Sequence, residues 1–404
     1  MSINYLYHSV EVDAFNPNGY GEFDTLDFGL SFNNRSMVAG TVRFEGELRV
    51  LSTANSTPSL ENERVTIDHM IGAHALCQSC VCSTQMSGVI ENLTNMPRYE
   101  KMKTAATKTV NDMNNGSMVC ELRSPDQKIT ERQIKLQTPS DIGGGADGAT
   151  QVTHSGSGFA EYAQYSAGNF TANVNAYQNP DFSIKLPIVL NGVVGQNKLI
   201  NYDTTGDVKL SLNLARNAEV LYGFDMTANH SYVIINPRVC FVSVPAQPQQ
   251  PVMLRSTLSI KSNLNSQQSN ISARVPAICN GVSLSFNALN RENSINFNNT
   301  ALLSLPNLDV VRFSMNDSTN KYLTYELKET PEIIGEGLKA LSNGSGSNNA
   351  RYDLLAANKS FITGLKFNEN LDLSKNKLNI QIQSAVNNAN PYVMYAYFHS
   401  LISI

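Results

Sequence analysis

The sequence lacks tryptophan altogether, and it is short of charge, of cysteine and of any long apolar run. Charged residues make up only 16%, against roughly 25% in an average soluble protein. Much of the polar surface must therefore be Ser, Thr, Asn and Gln. That suits β-structure with polar turns and large protein–protein contacts better than a freely diffusing helical enzyme. The net charge of −4 comes with no basic run, and Met1–Phe15 carries Glu11 and Asp13 but neither Lys nor Arg. Direct nucleic-acid binding needs clustered Lys and Arg to displace counterions, so none is expected. No window approaches the roughly 20 apolar residues of a membrane span, so no transmembrane segment is expected. The first residues also lack the charged and apolar regions of a signal peptide. Six cysteines, half of them in one cluster (Cys77, Cys80, Cys82), read as a reduced, intracellular origin.

What is present is a chain of 404 residues, enough for two domains of roughly 150–250 residues. Near its middle lies Val242–Pro251 (VSVPAQPQQP), with Pro245, Pro248 and Pro251 directly after the apolar run Tyr232–Val244. Proline fixes φ and donates nothing to a ladder, so a sheet must stop there. We read 245–251 as a semi-rigid domain connector; the other reading is a long loop within one sandwich.

Before the connector, residues 1–35 form an arm with early strands. Met37–Leu51 alternates cleanly, with Val42, Phe44, Leu48 and Val50 on one face and Arg43, Glu45, Glu47 and Arg49 on the other. Two arginines at the same period make that second face a solvated one rather than a catalytic carboxylate pair. Residues 65–83 are expected as a helix, and a second helix spans Pro97–Val110 with Lys101, Lys103 and Lys108 outward. Strands follow around Val119–Arg123 and Arg132–Leu136. The glycine-rich stretch Thr138–Gly158 is expected as a long surface loop. Clear strands then cover Phe182–Leu190, Val208–Leu214 and Tyr232–Val244.

After the connector the pattern repeats. Leu258, Ile260 and Leu264 alternate, as do Val282, Leu284 and Phe286, then Val311, Phe313 and Met315, then Leu323, Tyr325 and Leu327. Pro331–Ser342 is an amphipathic helix, and a loop follows at Asn343–Asn349. Phe361–Phe367, Leu378–Ile382 and Tyr392–Ile404 close the chain as strands. Short strands with few inserted helices are the signature of sandwiches and jelly rolls, not of alternating βαβ units. The expected fold is all-β: a first domain over 36–244, the connector at 245–251, and a second domain over 252–404.

The search for chemistry finds little. Gly143–Gly148 has no Lys-Ser/Thr after it and no apolar strand before it, which excludes a phosphate loop. There is no His-Glu-x-x-His and no Gly-x-Ser-x-Gly. His74, Cys77 and Cys80 could form a helical stripe meeting one zinc ion, although Cys82 would point away from Cys77. The competing reading packs these small thiols against a sheet, as free cysteine usually is. His69, with Asp68 beside it, and His399 read as structural. No catalytic residue, cofactor or metal is therefore assigned, and the chain reads as no enzyme.

Taken together, the pattern resembles the double jelly-roll major capsid proteins of tailless icosahedral DNA viruses, especially those of virophages and polinton-like viruses. Ile67–His74, Glu91–Leu93, Pro97–Tyr99, Phe182–Leu186 and Asp207–Leu214 carry the likeness. It implies two eight-stranded jelly rolls, a homotrimer of pseudo-hexagonal outline, and capsomers that tile a shell. The partners it implies are neighbouring capsomers and the penton and minor capsid proteins, in a virion assembled inside the host cell. A function from another class is a two-domain carbohydrate-binding or attachment protein, which the absence of tryptophan disfavours. An enzyme acting on glycans from the same scaffold lacks carboxylates in an apolar setting.

Overall fold

The computed structural model describes residues 4–51, 67–113, 121–123, 182–188, 192–222, 230–246, 252–264, 267–316, 322–344, 360–385 and 391–404. Its elements follow the period-2 alternation of the sequence. The first half holds β1 (Leu6–Glu11), β2 (Thr25–Leu30), β3 (Arg35–Leu51), β4 (Cys77–Thr84), β5 (Gly88–Thr94), helix α1 (Met96–Thr107), β6 (Phe182–Pro187), β7 (Leu199–Asn201), β8 (Val208–Leu214) and β9 (Ser231–Pro245). The second half holds β10 (Met253–Leu264), β11 (Gln268–Ala273), β12 (Ile278–Ala288), β13 (Leu308–Asn316) and β14 (Tyr322–Leu327). Helix α2 (Thr330–Gly344), β15 (Thr363–Asp372), β16 (Leu378–Ser384) and β17 (Tyr392–Ser403) complete it.

In the first half the strands pair in the orders β1-β9-β3-β6 and β2-β8-β4-β5, with β7 added beside β3. In the second half they pair as β10-β17-β12-β15 and β11-β16-β13-β14. Strand by strand, these are the same two sheets in the same order. In each half the first, last, third and sixth main strands form one sheet and the other four form its partner, which is a jelly roll. The chain is therefore two consecutive eight-stranded jelly rolls with short inserted helices. Each has its own apolar interior. Leu26, Phe28, Phe44, Leu48 and Phe241 are buried in the first, and Val282, Phe286, Phe313, Ile380 and Phe398 in the second. Within the first, the rings of Phe28 and Phe44 meet edge to face at 6.2 Å, the geometry that aromatic quadrupoles favour.

The two barrels share a sheet. β5 of the first lies parallel to β10 of the second, with Asn92 opposite Leu258, so a single eight-stranded sheet runs β15-β12-β17-β10-β5-β4-β8-β2. Residues 1–35 contribute more than an arm: β1 pairs with β9 and β2 with β8, so both are integral strands. Among the described residues, no helix is long and apolar enough to cross a membrane.

Several expectations need correction. The described part of 65–83 is not a helix: it is a turn, a 3-10 turn at Gly72–Leu76, and then strand β4. The three-residue spacing of His74, Cys77 and Cys80 imitates a helical stripe, but Cys80, Cys82 and Thr84 are buried alternately with Val81 and Ser83 half-buried. Cys, Val, Ser and Thr favour a strand over a helix interior. Gly72 also sits at φ +53°, where a helix cannot continue. Lys101 and Lys103 do not face solvent but are buried along α1. Glu45 is likewise buried, under the guanidinium of Arg238 at 2.9 Å, rather than on a solvated face. Glu121–Arg123 forms a turn, not a strand. The loop 138–158 and the strand at 132–136 lie outside the described residues, as do 345–349.

Candidate assembly site at the seam between the barrels

The chemistry concentrates where the two barrels meet. At the parallel junction the strands are joined largely through hydroxyl side chains. Ser259 Oγ donates to the carbonyl of Thr94 at 2.9 Å and accepts from the Thr94 amide at 3.2 Å. Ser256 Oγ donates to the carbonyl of Ile90 at 3.2 Å. Further along, the side-chain amide of Gln196 acts as one residue of strand. It accepts from the Arg255 amide at 2.9 Å and donates to the Arg255 carbonyl at 2.7 Å. Backbone groups at a strand edge need partners, and here polar side chains supply them across the join.

Helix α1 forms the other half of the seam. It starts from Asn95 in the left-handed region (φ 52°) with Pro97 in its first turn, where the missing proline N–H costs nothing. Its first turns reach into the second barrel. Arg98 donates to the carbonyls of Ala301, at 2.7 Å, and of Asn299, and its guanidinium lies 4.3 Å above the ring of Tyr395. The rings of Tyr99 and Tyr397 pack at 5.0 Å, and Tyr397 Oη donates to the carbonyl of Asn95 at 3.0 Å.

The carboxylate of Asp68, in the turn before β4, is the densest node. It pairs with Lys101 of α1 and accepts from Asn298 Nδ2 at 2.6 Å, Thr300 Oγ1 at 2.7 Å and the Met70 amide at 2.9 Å. Burial acts to raise its pKa, yet Lys101, His69 and the hydrogen bonds hold it well below the usual carboxylate range. Beside it, Arg123 bridges Glu100 at 2.7 Å and Glu121 at 2.8 Å, and His74 Nε2 contacts Glu121 at 3.3 Å. Burial opposes ionisation of Glu100, and the Arg123 charge overcomes it. In Lys103 burial prevails and lowers the ammonium pKa to about 7. A shallow cleft of about 60 Å³ opens on the seam, lined by Arg98, Glu219, Lys261, Glu292, Asn299 and Tyr395 among others. Glu292 already binds Lys261 and the Tyr395 hydroxyl there.

The residues weighed for zinc are not brought together. His74 turns to Glu121, while Cys77 and Cys80 are buried thiols. Burial pushes Cys77 up to about 12 and Cys80 well above its ordinary value, so neither offers a thiolate at neutral pH. Among the described residues no group of three His, Cys, Asp or Glu side chains is placed to hold a metal ion. Ser283 and His399 do form a hydrogen-bonded pair at 2.7 Å that the sequence did not suggest. Both are buried, and burial lowers the imidazole to about 3, so it is a poor base at neutral pH. Of the connector prolines, Pro245 ends β9, while Pro248 and Pro251 lie outside the described residues. The seam residues Asp68, Arg98, Lys101 and Asn298 carry no sequence signal of partnership, because each finds its partner roughly 30 to 230 positions away.

Similarity to solved structures bears directly on this arrangement. The Faustovirus major capsid protein matches over 100% of this chain and 90% of its own, with a TM-score of 0.60 at 8% identity. A PBCV-1 VP54 structure, fitted into a cryo-EM reconstruction of the virophage Sputnik, matches over 100% and 95%, with a TM-score of 0.55 at 10% identity. This chain has the double jelly-roll fold of viral major capsid proteins. A cryo-EM structure of the Sputnik virophage matches over 99% of this chain and 86% of that one, with a TM-score of 0.52 at 10% identity. No family model and no curated protein matches the sequence. At such identities the likeness is one of fold.

Proposed function

We propose that this double jelly-roll chain is a structural major capsid protein, three copies of which form a pseudo-hexagonal capsomer that tiles an icosahedral virion shell. The observation that carries the reading is the full-length fold match combined with the shared sheet between two barrels of identical strand order. Two like barrels per chain give a trimer six similar edges, and few charges leave large surfaces free to be buried against other copies. The first domain runs to about residue 244, 245–251 is the connector, and the second domain follows. The partners are further copies, with penton and minor capsid proteins at the remaining positions, and the chain resides in the virion. Sedimentation of the purified protein, followed by electron microscopy, tests the reading. A stable trimer and hexagonal capsomers or shells are expected. A strict monomer that binds on a glycan array would instead support a carbohydrate-binding attachment protein.

A further inference from the structure

Within one chain, the strand closing the second sheet of the first barrel (β5) meets the strand opening the first sheet of the second barrel (β10). The corresponding pair in the opposite sense is β14, which closes the second sheet of the second barrel, and β1, which opens the first sheet of the first. Among the described residues β14 pairs only with β13 and β1 only with β9, so each is a sheet edge with one free side. We infer that β14 of one chain docks alongside β1 of a second copy, in parallel, repeating between chains the β5–β10 junction made within each chain.

The surfaces support this occupant. β10, the counterpart of β1, has Leu254, Ser256 and Thr257 buried at its junction. On the β1 side Tyr5, just before the strand, and Leu6 and Tyr7 within it are 63%, 47% and 55% exposed, large apolar side chains left open at a sheet edge among the described residues. Monomeric proteins usually guard such edges with charge or proline. The parallel sense brings the C-terminal ends of the two strands together. β1 leads into exposed Glu11 and Asp13, and β14 leads into exposed Lys328 and Glu329, so Lys328 is the cation placed to meet the two carboxylates. On the β14 side Glu326 is already bound by Arg312 at 2.8 Å and by Lys328 at 2.7 Å. A head-to-tail contact of this kind closes into a ring when the rotation at each junction is right. With two barrels per chain, junctions within and between chains then alternate around the capsomer. The inference rests on the trimer reading and specifies its contact.

The test uses the full chain. Glu11→Lys with Asp13→Lys, and separately Lys328→Glu, are each expected to weaken trimer formation in sedimentation by about 10-fold, the scale of a rim charge change. Combining the two reversals is expected to restore most of it. These side chains are exposed, and unchanged thermal unfolding of each variant monitors the fold. Carbodiimide coupling in trimers mixed from isotopically light and heavy chains is expected to yield mixed-label peptides joining Lys328 to Glu11 or Asp13. A wild-type monomer overturns the trimer reading and the junction with it. A wild-type trimer indifferent to both reversals, with no mixed-label coupling at these residues, overturns the junction alone.

Discussion

Asp68 and Lys101 form an ion pair that is closed to solvent on both sides, although they belong to a turn and a helix that are 33 positions apart. Breaking a buried pair strands the surviving charge, which typically costs about 3–5 kcal/mol. Lys101→Met should therefore lower stability by about that much, and the Asp68→Asn, Lys101→Met double variant should lose less than the two single changes added together. Denaturant unfolding of the four proteins measures the coupling. Additive losses would show that the two charges do not sense each other.

The same pair shows what the sequence could and could not reveal. Strands such as Val208–Leu214 and Tyr392–Ser403 were legible because alternation of apolar residues is a local property. β11 was not, since QSNISA offers hydroxyls and amides where a core face was sought, and the side chains it buries are the small Ser269 and Ala273. β4 was misread because a three-residue spacing and a two-residue one overlap in a short cysteine run. The buried faces of Lys101 and Lys103 were read as solvated because charge predicts exposure unless a partner is known, and Asp68 becomes a partner only through the fold. Repetition of the two barrels was visible as pattern; the shared sheet and the seam that align them were not.

Glu91 lies in β5 at the junction and is fully buried, with the Val193 amide donating to Oε2 at 2.9 Å. Burial raises its pKa to about 7, against the opposing pull of the Val193 and Thr257 backbone groups. Because the folded value lies above the unfolded one, the folded state holds the extra proton between about pH 4.5 and 7. This residue's contribution thus favours the folded state at the acid end and is lost as pH rises through 7, a swing of roughly 3 kcal/mol. Glu91→Gln should flatten stability over that window and leave the protein more stable than wild type at pH 8. Equal pH slopes for the two proteins would remove Glu91 as the titrating group.

Gly72 holds a left-handed backbone at φ +53° in the turn leading into β4, and a Cβ there would stand 2.0 Å from the carbonyl oxygen of Glu121. The obstacle is backbone, which a rotamer change cannot relieve. Strain at such a position costs about 1–3 kcal/mol before any clash is counted. Gly72→Ala is expected to exceed that range and to detach the turn carrying Glu121 and Arg123 from the seam. Hydrogen exchange at residues 121–123 reads the detachment directly; protection equal to wild type would show that the turn absorbs the methyl group.

The contacts of α1 join the two barrels, and we propose the proline connector as a second support for the angle between them. Arg98→Ala removes two charge-assisted hydrogen bonds to backbone carbonyls and the stacking on Tyr395. The expected loss is about 2–4 kcal/mol, borne by the seam rather than by either core. Replacing Pro245, Pro248 and Pro251 with glycine instead gives the connecting chain more conformations. Both variants are expected to keep each barrel folded and to lower the yield of regular shells, because a tiling tolerates little variation in the angle between its edges. Electron microscopy of assemblies from each variant separates the supports. Normal shells from the triple glycine variant alone would make the connector a spacer and leave the geometry to Arg98 and its neighbours.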